Sequence, residues 1–209
     1  KDSKKVIIGT TRIEKSKFYN SFLFIEKDNI QIFDKKILVP FGEFLPFRSY
    51  LGFLENISGY VDYTPGSNER IIKSSDEVKI LPVICYEIIF NKILKKINEK
   101  EIDLLINITN DSWFGNKLGP YQHFYHSRIR ALISNKYLLR VSNNGISAII
   151  DNDGKVIKFT KLNTTQSFTH LLEIKKTSYY GFIHNICIFY LIFIIFIHTI
   201  FFRYNFKYD

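Results

Sequence analysis

The sequence has little sulfur. Of its 209 residues only two are cysteine and none is methionine. Cys85 follows an apolar run and Cys187 lies inside another, so neither a disulfide framework nor a cysteine-based metal site is supported. The five histidines show no H-E-x-x-H or comparable spacing of metal ligands. We therefore expect a protein without a metal centre.

The missing methionine also bears on the ends of the chain. A translation product normally begins with methionine, whereas residue 1 is lysine. We therefore expect that residue 1 is not the natural start, and that the chain is processed, excised or incomplete. The first residues show no signal peptide.

Acidic residues are fewer than basic ones, which gives a formal net charge of +9. The basic residues are scattered apart from a short cluster at 1–5, and no nucleic-acid-binding motif accompanies them. The excess is typical of a solvated basic surface, with contact to anionic lipid as the alternative. We expect no nucleic acid among the partners.

One long segment, Phe182–Phe202, has no Asp, Glu, Lys or Arg. At 1.5 Å per residue a helix of this length reaches about 30 Å, the thickness of a bilayer core. The segment therefore predicts a transmembrane helix, and we divide the chain into a folded domain at 1–178 and a membrane tail at 179–209. Basic residues on both sides of the helix leave its orientation undecided.

Over the rest of the chain, short apolar segments typical of strands alternate with segments of helical periodicity. This alternation predicts a layered α/β or α+β domain. Helices are expected at Ile88–Ile97 and Tyr121–Asn135. Strands are expected at Lys5–Arg12, Ser21–Glu26, Ile30–Phe33, Val78–Ile84, Leu104–Ile108, Tyr137–Val141, Ser147–Ile150 and Lys155–Phe159, the first three as a meander.

The segment Phe44–Leu54 is unusually rich in aromatic and aliphatic residues. Packing in the core is the default interpretation of such a segment. A lid that touches lipid or a lipid substrate is the alternative.

Cys85 stands at the end of a predicted strand and at the start of a predicted helix. A strand-to-helix turn presents a side chain outward, and a helix N-terminus favours the reactive thiolate. A small buried hydrophobic residue is the commoner fate of a lone cysteine. The position alone leaves both interpretations open.

Several segments, in order along the chain, resemble the carbon–nitrogen hydrolase (nitrilase) superfamily, and more closely the bacterial apolipoprotein N-acyltransferase family. The resemblance extends from about residue 5 to the end. The matching residues are Lys35 with Val39–Glu43, Ile84–Glu87, Asn107–Gly115, Gly119–Phe124 and Asn143–Ser147.

The resemblance implies roles for particular residues. Cys85 is the nucleophile, and Lys35, rather than Lys36, is the lysine of the triad that stabilises an oxyanion. The supporting or substrate-binding residues are Glu43, Tyr86, Glu87 and Trp113. A surface lysine, a turn carboxylate and a core tryptophan are the structural alternatives for Lys35, Glu43 and Trp113. The family's general-base glutamate finds no match, so we expect a fragment with little activity alone.

The resemblance also implies a fold and a reaction. The fold is an α+β, nitrilase-like αββα sandwich, N-terminally truncated and followed by one C-terminal transmembrane helix. The reaction moves a fatty acyl chain from a phospholipid, through a cysteine thioester, to the N-terminal amine of a diacylglyceryl-cysteine lipoprotein.

This reaction needs no cofactor. It places the chain in the bacterial inner membrane with the catalytic domain facing the periplasm, and it suggests a missing N-terminal portion as a possible further partner. A membrane-tethered amidase and an inactive remnant are the alternatives.

Overall fold

The computed structural model describes residues 4–55, 61–67, 70–92, 101–173 and 189–199, and its strands form two sheets. The smaller sheet is an antiparallel meander of β1 (Lys5–Glu14), β2 (Lys17–Glu26) and β3 (Asn29–Asp34). This confirms the meander predicted from the first three apolar runs.

The larger sheet has six strands in sequential order. Its central strands β5, β6 and β7 run parallel, and the remaining pairs are antiparallel. The strands are β4 (Ile72–Lys73), β5 (Lys79–Ile84), β6 (Leu104–Thr109), β7 (Tyr137–Ser142), β8 (Ala148–Ile150) and β9 (Val156–Phe159). Strand β6 is buried at every position, as a central parallel strand covered on both faces should be.

Within the described residues up to 173, the named helices are α1 (Arg48–Leu51) and α2 (Leu118–Ser134), and three short 3₁₀-helices span Gly52–Leu54, Cys85–Ile89 and Asp111–Phe114. Phe22 and Phe24 of β2 pack against the inner face of the larger sheet. Ala131 of α2 belongs to a second apolar cluster, on the other face of that sheet. The described elements thus form mixed sheets with helices, in agreement with the predicted class.

The predicted helix Ile88–Ile97 is wrong at its start. The chain after Cys85 forms a 3₁₀-helix that ends at Ile89, and Phe90 is extended. The Arg130 side chain donates to the backbone carbonyls of Ile88 and Ile89, which are acceptors that a continuing helix would use. Residues 93–100 lie outside the described part of the chain.

The predicted membrane helix lies largely outside the described residues. Of Phe182–Phe202, only 189–199 are described, and these are helical with exposed side chains. Within the described ranges, no helix combines the length and apolar character needed to cross a bilayer.

The prediction that the aromatic segment packs in the core is wrong for three of its aromatic side chains. Phe47, Tyr50 and Phe53 are 77%, 82% and 75% exposed. Leu45 is the buried exception, and its backbone N–H donates to Asp62. The short α1 and the 3₁₀-helix after it contain no buried residue, so this segment covers little of the core.

Candidate active site

Cys85 occupies a strained turn directly after β5. Its φ is +51°, in the left-handed region, where a residue with a Cβ costs about 1–3 kcal/mol. The side chain is half-buried against the cluster between the sheets. This geometry agrees with the predicted outward turn, but the following 3₁₀-helix has only five residues. The large helix dipole expected at the thiol is therefore absent from the described residues.

The Glu87 carboxylate fixes this turn to the segment that follows β3. It is fully buried and accepts from the backbone N–H groups of Ile84, Lys36 and Ile37 at 2.8–3.0 Å. Arg70 forms a two-pronged ion pair with the same carboxylate. Glu87 thus links the residues flanking Cys85 to those flanking Lys35.

Lys35 is 1% exposed and lies directly after β3. Its ammonium contacts the Glu43 carboxylate at 2.5 Å. Glu43 also accepts from the backbone N–H of Val39 at 2.8 Å and from the Asn20 amide at 2.9 Å. Lys35 is therefore a buried, positioned cation rather than a solvated surface residue, and Glu43 is its anchor. Among the described residues, the ammonium forms its hydrogen bond with this carboxylate and not with the thiol.

The neighbouring Lys36 has a different environment. Its side chain is half-buried, and its ammonium donates to the carbonyl of Ser67 at 3.2 Å, at the surface. Of the two lysines, the buried ion pair belongs to Lys35.

Two further side chains hold the backbone carbonyl of Cys85. The Asn107 amide donates to the carbonyls of Val83 at 3.2 Å and Cys85 at 3.3 Å. His123 Nε2 also lies 3.3 Å from the Cys85 carbonyl oxygen. Asn107 comes from β6 and His123 from α2, so two different layers of the fold hold the turn.

His123 is held in turn by a buried ion pair. Its Nδ1 lies 2.8 Å from Asp111, and the Arg140 guanidinium contacts both carboxylate oxygens of Asp111, at 2.7 and 3.0 Å. Burial opposes the ionisation of Asp111, but the hydrogen bond to His123 and the charge of Arg140 outweigh it and lower its pKa to about 2. Burial lowers the pKa of His123, although Asp111 counteracts this.

Gly145 belongs to this cluster because of its missing side chain. A Cβ at this position would collide with the Asp111 carboxylate and with the Ser142 hydroxyl. The Asn-Asn-Gly-Ile-Ser segment that resembled a family motif therefore contains a residue whose lack of a side chain makes room for a buried carboxylate.

A pocket of about 590 Å³ opens at Tyr86 and His123, and Cys85 is not among the residues that line it. Tyr86 packs there against Phe114 and His123, each with a ring-centroid separation of 5.8 Å. The lining residues are Tyr86, Phe114, Gly119, Tyr121, Gln122, His123, Tyr125 and His126. Trp113 is not among them and is 70% exposed, so its interpretation as a core tryptophan is wrong.

Sequence reasoning gave no role to Arg70, Asn107, Asp111, His123 or Arg140. One signal was available on α2, where buried positions recur at helical spacing yet include several polar residues. These positions are Pro120, His123, Ser127, Arg130, Ala131 and Ser134. A polar face at the spacing of a buried stripe indicates partners in the core, because buried polar groups need them.

Comparisons with known proteins show the family of the chain. The family described as carbon–nitrogen hydrolase matches residues 5–177. The apolipoprotein N-acyltransferase of Rickettsia typhi is 40% identical over 167 residues, which cover 79% of this chain and 34% of that protein. The protein of the same name from Rickettsia bellii is 41% identical over 190 residues, covering 89% and 38%. The chain thus spans about a third of the length of these curated relatives.

Solved structures agree on the fold. A carbon–nitrogen hydrolase superfamily protein from Xanthomonas campestris gives a TM-score of 0.57 at 17% identity, covering 77% of this chain and 60% of that one. A nitrilase superfamily member from Saccharomyces cerevisiae gives 0.55 at 19%, covering 76% and 55%. The resemblance found in the sequence is confirmed, and the chain belongs to the carbon–nitrogen hydrolase family.

Proposed function

We propose that this chain supplies the catalytic site of an N-acyltransferase, with Cys85 as the nucleophile. The observation that supports this most strongly is the buried Lys35–Glu43 pair, joined through Glu87 to the strained turn at Cys85. Relatives at 40–41% identity named apolipoprotein N-acyltransferase give the reaction class.

The proposed reaction has two steps. A general base takes the proton of the Cys85 thiol, and the thiolate attacks the ester carbonyl of a phospholipid. The acyl C–O bond breaks, and the protonated base returns that proton to the departing oxygen of the lysophospholipid. The amine of a diacylglyceryl-cysteine lipoprotein then attacks the thioester. The C–S bond breaks, an amide forms, and the thiol is regenerated.

Lys35 and the backbone of the turn suit this chemistry. A buried ammonium stabilises negative charge on a tetrahedral oxygen more strongly than an exposed one, because little water screens it. Glu43 holds the Lys35 ammonium in place, and its own carboxylate is fixed by the Val39 N–H and the Asn20 amide. In this proposal Lys35 stabilises charge, whereas Glu43 and Glu87 hold Lys35 and Cys85 in place.

A lipid donor requires the site to lie at a membrane. The exposed side chains of Phe47, Tyr50 and Phe53 form an aromatic surface that could enter the lipid headgroup region. The apolar segment Phe182–Phe202 would anchor the chain. We propose the inner membrane as the location, with the catalytic domain on the periplasmic side.

A chimera tests the proposal. This chain replaces the matching segment of the Rickettsia typhi relative, and the protein is placed in vesicles of phospholipid with a labelled acyl chain. We expect a hydroxylamine-labile label on the chain, and its transfer to a diacylglyceryl-cysteine peptide. Cys85→Ser should reduce both to background, while the matched variant Cys187→Ser should keep them.

Other outcomes would contradict the proposal. Label that persists in Cys85→Ser would place the nucleophile elsewhere. Hydrolysis of small amides without any acyl transfer would identify an amidase. A chimera that folds, keeps the Lys35–Glu43 pair and does neither would oppose an enzymatic role for this site.

A further inference from the structure

His123 is buried and has no assigned role, yet it contacts the residue proposed as the nucleophile. It is 2% exposed, and its Nε2 lies 3.3 Å from the carbonyl oxygen of Cys85. A carbonyl oxygen only accepts hydrogen bonds, so a hydrogen bond here requires the proton on Nε2. In the neutral ring Nδ1 is then an acceptor, and it faces the Arg140 guanidinium, whose N–H group lies 3.2 Å away. The contact is with the Cys85 backbone, not with its thiol.

This contact acts on a peptide plane that borders the reaction centre. Cys85 has a left-handed φ of +51°, and such a conformation persists only when its surroundings enforce it. In a planar trans peptide the C=O and the following N–H point in opposite directions. A Cys85 carbonyl held towards His123 and Asn107 therefore directs the N–H of Tyr86 away from them.

The ring of His123 is itself fixed from behind. Asp111 lies 2.8 Å from Nδ1, and Arg140 binds both oxygens of Asp111. Arg140 also donates to Asn107 at 2.6 Å, so the same guanidinium orients both side chains that hold the Cys85 carbonyl. Thr109 adds a hydrogen bond to Asp111 at 3.0 Å.

We infer that His123 is a positioning residue, which fixes the Cys85–Tyr86 peptide through the Cys85 carbonyl and is oriented by the Asp111–Arg140 ion pair. It does not touch substrate in this role. It keeps the nucleophile turn in its left-handed conformation, with the Tyr86 N–H aimed away from the α2 side.

The inference rests on the proposed role of Cys85, so its test includes a measurement independent of acyl transfer. His123→Leu and His123→Gln have side chains of similar size, but only glutamine keeps a donor at the Nε2 position. Both variants lose the imidazole contact with Asp111, so they differ chiefly in the hydrogen bond to Cys85.

Hydrogen–deuterium exchange of the full chain in detergent gives that independent measurement. We expect residues 84–87 to exchange about tenfold faster in His123→Leu, the effect of one lost hydrogen bond, and near the parent rate in His123→Gln. Exchange in β6 should stay the same in both, which separates local loosening from loss of the fold. His170 is exposed, so His170→Leu is the control and should leave the exchange of residues 84–87 unchanged.

Acyl transfer by the chimera is the second measurement. We expect His123→Leu to lower kcat about tenfold with little change in KM, and His123→Gln to restore it. Asp111→Asn, which weakens the hold on the ring without removing it, should move both measurements in the same direction.

Equal exchange at 84–87 in both His123 variants, or equal loss of kcat in both, would overturn the inference. If the parent chimera transfers no acyl group, the proposed function fails, and exchange alone decides the role of His123.

Discussion

The turn at Cys85 and the aromatic segment Phe44–Leu54 are organised in opposite ways. At the turn, one buried carboxylate and one amide hold the backbone, and a strained conformation is kept in place. In the aromatic segment, large apolar side chains at 47, 50 and 53 face outward and contribute nothing to the core. In this molecule, buried polar groups fix the backbone geometry of the turn, whereas exposed apolar side chains form a surface on the aromatic segment.

The largest expected effect comes from the buried pair beside the turn. Lys35→Met should lower acyl transfer about 10²- to 10³-fold, because the positioned charge is lost. It should also destabilise the fold by about 3–5 kcal/mol, because the Glu43 carboxylate loses its cation. Chemical denaturation and the chimera assay give the two values.

A double variant separates these two effects. Lys35→Met with Glu43→Gln removes the unpaired charge, so stability should largely return while acyl transfer stays low. Lys36→Met is the matched control, since its ammonium binds a carbonyl at the surface. Equal losses of transfer in Lys35→Met and Lys36→Met would contradict the assignment of Lys35.

A smaller effect is expected from acid, through Asp111. Its folded pKa of about 2 lies below the ordinary value of 3.8, so its ionised form stabilises the fold above pH 4. This contribution, roughly 2.5 kcal/mol for a shift of about two pKa units, should disappear as the pH falls from 4 to 2. Thermal unfolding should show it in the parent and not in Asp111→Asn.

His123 adds to the acid sensitivity at higher pH. Its folded pKa is lowered, so the unfolded chain binds more protons and stability should begin to fall as the pH drops below about 6.5.

Asp28 is exposed, so the control variant Asp28→Asn should leave the acid range unchanged relative to the parent. A flat profile in the parent would show that Asp111 is not held as an ionised partner of Arg140.

The smallest effect on stability is expected in the aromatic segment. Replacing Phe47, Tyr50 and Phe53 with serine should change the free energy of unfolding by about 0.5 kcal/mol or less per site, because these side chains are exposed. Leu45→Ala, at the buried position of the same segment, should cost about 2–5 kcal/mol.

The same serine variant should lose affinity for phospholipid vesicles in a sedimentation assay, because apolar surface drives insertion at an interface. Unchanged vesicle binding together with a large loss of stability would reverse the comparison between the two regions.

Local patterns in the sequence predicted most of the strands and the position of Cys85. Apolar alternation and turn residues act over a few neighbours, so the meander and strands β5 to β9 could be identified directly. The helix predicted after Cys85 is wrong at its start, because Arg130, which is distant in sequence, binds the carbonyls of Ile88 and Ile89 that a continuing helix would use.

The polar network around Cys85 could not be predicted in this way. Asp111 and His123 stood in motifs that resembled the family, but their contact with each other and with Arg140 joins a loop, a helix and a strand. The core interpretation of Trp113 is wrong, because its side chain is exposed on the 3₁₀-helix at Asp111–Phe114, whereas its role at a substrate pocket stays a prediction.

The sequence by itself determined the family, the positions of most strands along the chain, and the choice of Cys85, Lys35 and Glu43 as candidate site residues. These depend on residue type and on spacing along the chain. Only the tertiary structure decided that Lys35 rather than Lys36 is buried, that Glu87 joins the two halves of the site, and that His123 holds the Cys85 carbonyl. Such facts require two distant segments to meet, and burial then requires each charge and donor to find its partners within the protein.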